Sequence, residues 1–330
     1  MRGYQITPGG GIDGLVQVDL PEREPKAGGV LVRIRATSLN FKDIGVSRTK
    51  PRPMIPRSDG AGEVLAIGEG VRRFAVGDRV MGSFFPYWID GEMQREYIRV
   101  ALGDSTDGML AEQIVMPEGA WVRTPSHLTD DEAATLPAAA VTAWHALYEQ
   151  TILYPGSAVL LLGTGGVSIF GLQLARLGGL RTIITSSSDE KLERARALGA
   201  HDTVNYRERE DWDRAVLDLT EGRGVHRVLE IGGAGTFAKS LAATRMGGSI
   251  ISIGHLSEDG ERRGEPSLTR GIIGRGIFVG SRSMFERMNA ALELHDIHPA
   301  IERVFEFDQT QEAYRLLESQ AFVGKIVIRV

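Results

Sequence analysis

Between Val159 and Gly178 the chain reads VLLLGTGGVSIFGLQLARLG: an apolar run, a cluster of glycines, then apolar residues at helical spacing. A backbone that turns sharply and lets a pyrophosphate come close needs glycine. The helix that follows offers free N–H groups and the positive end of its dipole. Gly163, Thr164, Gly165, Gly166 and Val167 meet that need directly after a strand-like run. This strand-to-helix context separates a dinucleotide loop from an ordinary glycine turn. The last glycine of the usual pattern lets helix and strand touch. Here it is Ser168, which predicts a slightly looser contact and retained binding.

The second chemical signal lies about 20 residues on, where the nucleotide is chosen. In RTIITSSSDEKLERARALGA, Ser186 stands where an NAD site would carry Asp or Glu, and no acid appears before Asp189. Without a carboxylate nothing repels a 2′-phosphate, and the hydroxyls of Ser186 and Ser187 and the ammonium of Lys191 can donate to it. The pattern favours NADP(H). Ser187 and Glu190 also fit a capping box for the next helix, a role compatible with phosphate binding.

The elements around these residues change character along the chain. Residues 25–122 have short strand-like runs with glycine turns, and Val30, Val32 and Ile34 alternate with Leu31, Arg33 and Arg35. A small barrel or strongly bent sheet is expected there. Thr129 and Glu132 fit a capping box opening a helix that runs towards Gln150. Strands are then expected at 158–162, 182–185, 202–205, 226–231, 249–253 and 277–280, with helices after the first four. Such alternation predicts an α/β parallel sheet covered on both faces.

Composition excludes several classes. Cysteine is absent, so disulfides and thiolate metal ligands are ruled out. The net charge of −5 provides no basic field for nucleic acid, and no apolar stretch has the length of a membrane span. The N-terminus lacks the apolar region of a secretory signal, and a cytoplasmic location is the expectation.

The motifs SLNFKD, SDGAGEVLAIGEGV, VGDRVMG, ATLPAAAVTAWHAL, GTGGVS, ALGA…NY and FVGKIVIRV together cover nearly the whole chain. The set resembles the medium-chain dehydrogenase/reductase superfamily, in its zinc-free quinone oxidoreductase-like branch. The resemblance implies a GroES-like β-barrel substrate domain from residues 1–128 and 281–330, and a Rossmann NADP-binding domain from 129–280. It adds Tyr206 to Ser186 and Lys191 at the 2′-phosphate, and places Thr142, Gly254 and Gly280 around the nicotinamide. It also puts Asn40, Lys42 and Asp43 where relatives line the substrate cleft, with Asn40 the leading polar candidate. For Lys42 and Asp43 a structural ion pair is the competing role, and for Asp43 the favoured one. A homodimer or homotetramer is expected on the same analogy.

Zinc-dependent relatives carry a Cys-His-type pair where this chain has Asn40-Phe41, and Gly-His-Glu where it has Arg57-Ser58-Asp59. No metal site is therefore expected. His295 and His298 share a spacing on an expected surface helix, where solvation is favoured over metal binding. A tyrosine used by some enoyl reductases as proton donor is replaced by Gly45 and Val46. His145 reads as a satisfied core histidine, His255 as a residue near cofactor or substrate. Phe84, Phe85, Tyr87 and Trp88 either wall a pocket or pack their own segment. The expected activity is NADPH-dependent reduction of quinones, enones or related small carbonyl compounds. A zinc-independent alcohol dehydrogenase and a non-catalytic NADPH-binding protein remain alternatives.

Overall fold

Alternating apolar residues build the first of two compact units, Met1–Val141 with Val279–Val330; the second is Thr142–Phe278. The structure is a computed structural model that describes all residues except 255–269. In unit one, β1 (Arg2–Ile6) and β2 (Leu15–Asp19) form an antiparallel hairpin. The spine is β3 (Gly29–Ser38), with Val30, Val32 and Ile34 buried and Arg33 and Arg35 exposed. After α1 (Lys42–Thr49), β4 (Ala61–Ile67) runs antiparallel along one side of β3, and β5 (Arg79–Gly82) pairs with β4. Beyond a short α2 (Arg95–Ile98), β6 (Gln113–Pro117) takes the first half of the other side of β3, and β7 (Trp121–Arg123) pairs with β5. Two register shifts between β3 and β4 bend the sheet, as bulges do.

The capping box at Thr129 forms: Thr129 N–H donates to Glu132 Oε2 at 2.9 Å, and Glu132 N–H to Thr129 Oγ1 at 3.3 Å. The single helix expected towards Gln150 is instead α3 (Asp130–Ala133), a π-helical turn over Leu136–Ala140, and α4 (Val141–Tyr148). Pro137 explains the break, since it lacks the N–H that a continuous helical ladder requires.

Unit two alternates as expected: β8 (Ala158–Leu161), α5 (Gly166–Leu177), β9 (Arg181–Ser186), α6 (Asp189–Ala197), β10 (Asp202–Asn205), α7 (Trp212–Leu219), β11 (Val225–Glu230), α8 (Ala234–Ala243), β12 (Thr244–Ser252) and β13 (Ile273–Gly276). All six strands are parallel, in the order β10-β9-β8-β11-β12-β13. The order reverses between β8 and β11, the switch point where doubly wound sheets bind ligands. Leu160, Ile183, Val228 and Ile250 form the buried strand core. The expected strand at 277–280 lies earlier, at Ile273–Gly276. Beyond it the Phe278 carbonyl meets His145 Nδ1 at 2.9 Å and Gly280 turns at φ 152°, so the chain leaves the ladder.

Arg227 is buried in the middle of β11. Its guanidinium donates to the carbonyls of Ala146, Leu147 and Thr151, to Thr151 Oγ1 and to Ser249 Oγ. Burial lowers its pKa to about 10, so the cation persists at neutral pH. It faces the negative end of α4, whose last carbonyls would otherwise go unpaired.

The chain then returns to unit one through α9 (Arg282–Leu294), β14 (Ile301–Phe305), α10 (Thr310–Ser319) and β15 (Lys325–Arg329). Strand β15 lies between β14 and the end of β3, completing a bent sheet of seven strands. No helix among the described residues is long and apolar enough to cross a membrane.

His295 and His298 do not share the surface helix expected for them. Helix α9 ends at Leu294, leaving His295 as its C-terminal cap and His298 beyond it. His298 Nδ1 sits 2.7 Å from Glu132 Oε1, with its ring edge-on to His127. Contact with Glu132 raises the His298 pKa. Burial works against ionisation of Glu132, but Thr129 and His298 hold its carboxyl below the usual range. The His298 contribution is complete below its unfolded value and fades as pH rises through the raised one. The Glu132 contribution is lost as pH falls through the lowered one. Replacing His298 by alanine should therefore lower the melting temperature most between about pH 4.5 and 6.5. The cost should be below about 1 kcal/mol, because His298 is half exposed. A deficit unchanged up to pH 9 would contradict this assignment.

Candidate functional site

In unit one the polar site forms where β3 ends. Asp59 is fully buried, and four side chains reach its carboxylate. Ser38 Oγ donates to Oδ2 at 3.0 Å, Asn40 Nδ2 to Oδ2 at 2.9 Å, and Ser58 Oγ to Oδ1 at 2.9 Å, while Lys325 Nζ stands 3.4 Å from Oδ2. Lys325 Nζ also donates to Asn40 Oδ1 at 2.7 Å and to the Leu39 carbonyl at 2.6 Å. The Asn40 amide has a donor on its oxygen and an acceptor on its nitrogen, so its orientation is unambiguous. One Nδ2 hydrogen remains beyond the bond to Asp59. Burial pushes Lys325 below the usual lysine range, against the pull of Asp59 and Asp43.

Lys42 and Asp43 have the structural relation considered for them. Lys42 Nζ is 3.7 Å from Asp43 Oδ1 and 4.9 Å from the centre of the Phe84 ring. Asp43 Oδ2 accepts the Asn40 backbone N–H at 2.8 Å, anchoring the start of α1. Phe84, Phe85 and Trp88 are buried against one another, whereas Tyr87 is exposed. Three of the four aromatic residues thus pack their own segment. Asn40, Ser58 and Asp59 thus offer an amide already held at both ends, a serine, and a carboxylate beside an ammonium.

In unit two every strand is parallel, so the carboxyl ends collect at one edge. Gly163 turns at φ 70°, and its N–H donates to Thr185 Oγ1 at 3.2 Å, tying the loop after β8 to β9. Gly165 precedes α5, and a Cβ there would meet open space. The loop is therefore open to close approach, as a pyrophosphate requires. Thr164 is nearly buried, and Gly166 and Val167 form the first turn of α5. Ser168 does not loosen the helix. Its Oγ donates to the Leu162 carbonyl at 2.6 Å, closing α5 onto the end of β8. Close helix–strand contact is supplied one turn later by Gly171, where a Cβ would stand 3.0 Å from Leu161 and 3.2 Å from Leu229.

At the ends of β9 and β10, Ser186 and Tyr206 are linked by Tyr206 N–H to the Ser186 carbonyl at 3.0 Å. Ser186 is buried, Ser187 and Lys191 are half-buried, and Tyr206 is exposed. The capping box expected from Ser187 and Glu190 does not form. Ser188 is the N-cap of α6, so Glu190 falls one position too early to reach back. Asp189, the nearest acid, accepts from Asn205 Nδ2 at 2.9 Å. Thr142 is buried near the start of α4, Gly254 follows β12 with the Ile231 carbonyl close by, and Gly280 lies in unit one. His145 is buried and bonded to Phe278, a satisfied core histidine; His255 lies outside the described residues.

Two contributors were not visible as site residues in the sequence. Lys325 belongs to a strand whose apolar pattern hides its partner, which is 266 residues away. Glu230, buried at the end of β11, accepts from Gly232 N–H at 2.8 Å, Gly233 N–H at 3.0 Å, Thr236 and Ser240. It thereby fixes the loop at the switch point.

A parallel sheet that reverses order beside a glycine loop is the arrangement of doubly wound folds that bind ligands at the switch point. Residues 26–126 match the alcohol dehydrogenase GroES-like domain, and residues 166–294 match the zinc-binding dehydrogenase family. A zinc-type alcohol dehydrogenase-like protein of Schizosaccharomyces pombe is 43% identical over 319 residues, spanning 92% of this chain and 91% of the relative. A quinone oxidoreductase of Pseudomonas aeruginosa is 29% identical, spanning 98% of each chain. Among solved structures, an NAD-dependent alcohol dehydrogenase superposes with a TM-score of 0.89 at 33% identity, covering all of both chains. The chain belongs to the medium-chain dehydrogenase/reductase superfamily, with a GroES-like domain and a Rossmann-type parallel sheet.

Removing one member of the Asp59 network should expose its coupling. Lys325→Met leaves a buried carboxylate without its ammonium, at an expected cost of about 3–5 kcal/mol in urea unfolding. Lys325→Met with Asp59→Asn should recover much of that loss. Strictly additive losses would show that the two charges do not act as a pair.

Proposed function

We propose that this protein is an NADPH-dependent reductase of quinones or α,β-unsaturated carbonyl compounds that works without zinc. Unit one takes the substrate and unit two the nucleotide. The observation that carries the reading is the Asn40 amide, held between Lys325 and Asp59 at the position of a metal ligand in zinc-dependent relatives. The quinone oxidoreductase among the relatives is consistent with it.

Bound NADPH supplies the hydride. The remaining Asn40 N–H is the proposed donor to the carbonyl oxygen, on which negative charge grows as hydride reaches an electron-poor carbon. Lys325 on the amide oxygen and Asp59 on the other hydrogen hold that donor in a fixed orientation. Thr142 is the proposed partner of the nicotinamide carboxamide, together with backbone near Gly254 and Gly280. Lys42 places its charge against Phe84 and Asp43, which supports a role in shaping the site. Solvent supplies the final proton at carbon or oxygen.

For the nucleotide, Ser186 replaces the acid of an NAD site, and Ser187, Lys191 and Tyr206 flank the same strand ends. Gly163 to Ser168 hold the pyrophosphate. NADPH should bind about ten-fold or more tightly than NADH, given roughly 1.5–3 kcal/mol for charge-assisted contacts. Lys191→Ala should erase much of the preference while sparing NADH. Equal affinities in the unmutated protein would sink the NADP assignment.

Reaction type has its own test. Metal-free protein should reduce a small quinone or enone with NADPH faster than it oxidises simple alcohols with NADP under matched conditions. Asn40→Ala should lower turnover more than nucleotide affinity. Faster alcohol oxidation, sustained after chelation, would refute the reductase reading.

A further inference from the structure

Helix α6 carries a conflict at its start. Its first turn holds Asp189 and Glu190, and the positive end of the helix dipole favours acids there. The same turn follows closely on Ser186, at the strand ends to which the 2′-phosphate is assigned above. A carboxylate at that edge repels a phosphate, and it is also the group that an NAD site uses to accept from the ribose 2′-hydroxyl. Asp189, the nearer of the two acids in the chain, therefore stabilises the helix while favouring the other nucleotide.

Asn205 answers this conflict. It is the last residue of β10, and in the ladder its Cα is paired with that of Ser186. Its Nδ2 donates to Asp189 Oδ1 at 2.9 Å, and its Oδ1 accepts the Arg207 N–H at 3.1 Å. An acceptor on one side and a donor on the other fix which way the amide faces. The surrounding backbone is tied as well: the Asn205 carbonyl accepts the Arg209 N–H at 2.9 Å, and Tyr206 N–H donates to the Ser186 carbonyl at 3.0 Å. Asp189 is exposed and Asn205 half-buried, so the ordered partner selects one position for the more mobile side chain.

We propose that Asn205 is a specificity-determining residue, an inference that rests on the NADP(H) reading above. It engages the Asp189 carboxylate and so keeps it from serving as a ribose acceptor. Released, Asp189 would accept from the 2′-hydroxyl of NADH and would repel a 2′-phosphate, which has no proton to offer a carboxylate. One side-chain bond thus moves the two affinities in opposite directions. Asn205 acts through Asp189 and is a positioning residue.

The test is titration of the whole chain with NADPH and with NADH, followed by nicotinamide fluorescence. Asn205→Ala should tighten NADH and weaken NADPH, lowering the ratio of their affinities about five-fold or more. That is less than a full charge-assisted bond because Asp189 is exposed. Adding Asp189→Asn should return the ratio to within about two-fold of the unmutated protein, the scatter of independent sites. Should Asn205→Ala fail to fold, Asn205→Asp keeps the acceptor for Arg207 N–H, loses only the donor, and should shift the ratio the same way. An unchanged ratio, a loss for both nucleotides, or a shift that persists without Asp189 would overturn the role of Asn205 and leave the NADP(H) assignment standing. Equal affinities in the unmutated protein would overturn both.

Discussion

A carboxylate with no exposure is tolerable only when its oxygens are answered, and the interior of unit one is organised around meeting that demand at Asp59. Its partners come from three separate stretches: Ser38 and Asn40 at the end of β3, Ser58 beside it, and Lys325 at the start of β15. The last strand must therefore return to β3 before the charge is balanced. Val327 pairs with Ser38 in that ladder, which delivers Lys325 to Leu39 and Asn40. The orientation of the Asn40 amide is in this sense a product of sheet closure.

Unit two solves a related problem with backbone groups. A parallel sheet directs every strand end to one edge, and at the reversal between β8 and β11 the loops diverge. Glu230 gathers the donors of one diverging loop, and Ser168 bonds the other loop back to β8. The duties usually joined in one glycine are divided here. Ser168 fastens the helix start, while Gly171 lets the helix lie against Leu161 and Leu229.

The strand-helix alternation and the glycine loop were legible because their signals are local: an apolar run, a turn residue, a helical period. The same locality explains the errors. Ser187 and Glu190 have capping-box spacing, yet extended backbone at Ser188 moves the helix start by one residue. Pro137 interrupts a pattern that otherwise reads as one helix. The Asp59–Lys325 pair joins residues far apart in the chain, and a single sequence holds no sign of that partnership.

On the proposed reading, the strength of the Asn40 donor limits the chemistry open to the site. Lys325 draws density from the amide and sharpens the free N–H, while Asp59, accepting the other hydrogen, returns some of it. The two effects oppose, so the amide remains an ordinary neutral donor in a fixed position. Losing one preorganised donor to a developing oxyanion costs roughly 2.7–4 kcal/mol. Zinc lowers the pKa of bound water from about 15.7 to about 7, which corresponds to about 12 kcal/mol. A single amide therefore falls well short of ionising an alcohol. It is adequate where the acceptor is already electron-poor and the charge it receives is delocalised. The geometry at Asn40 thus favours substrates that need an oxygen steadied over substrates that need one ionised.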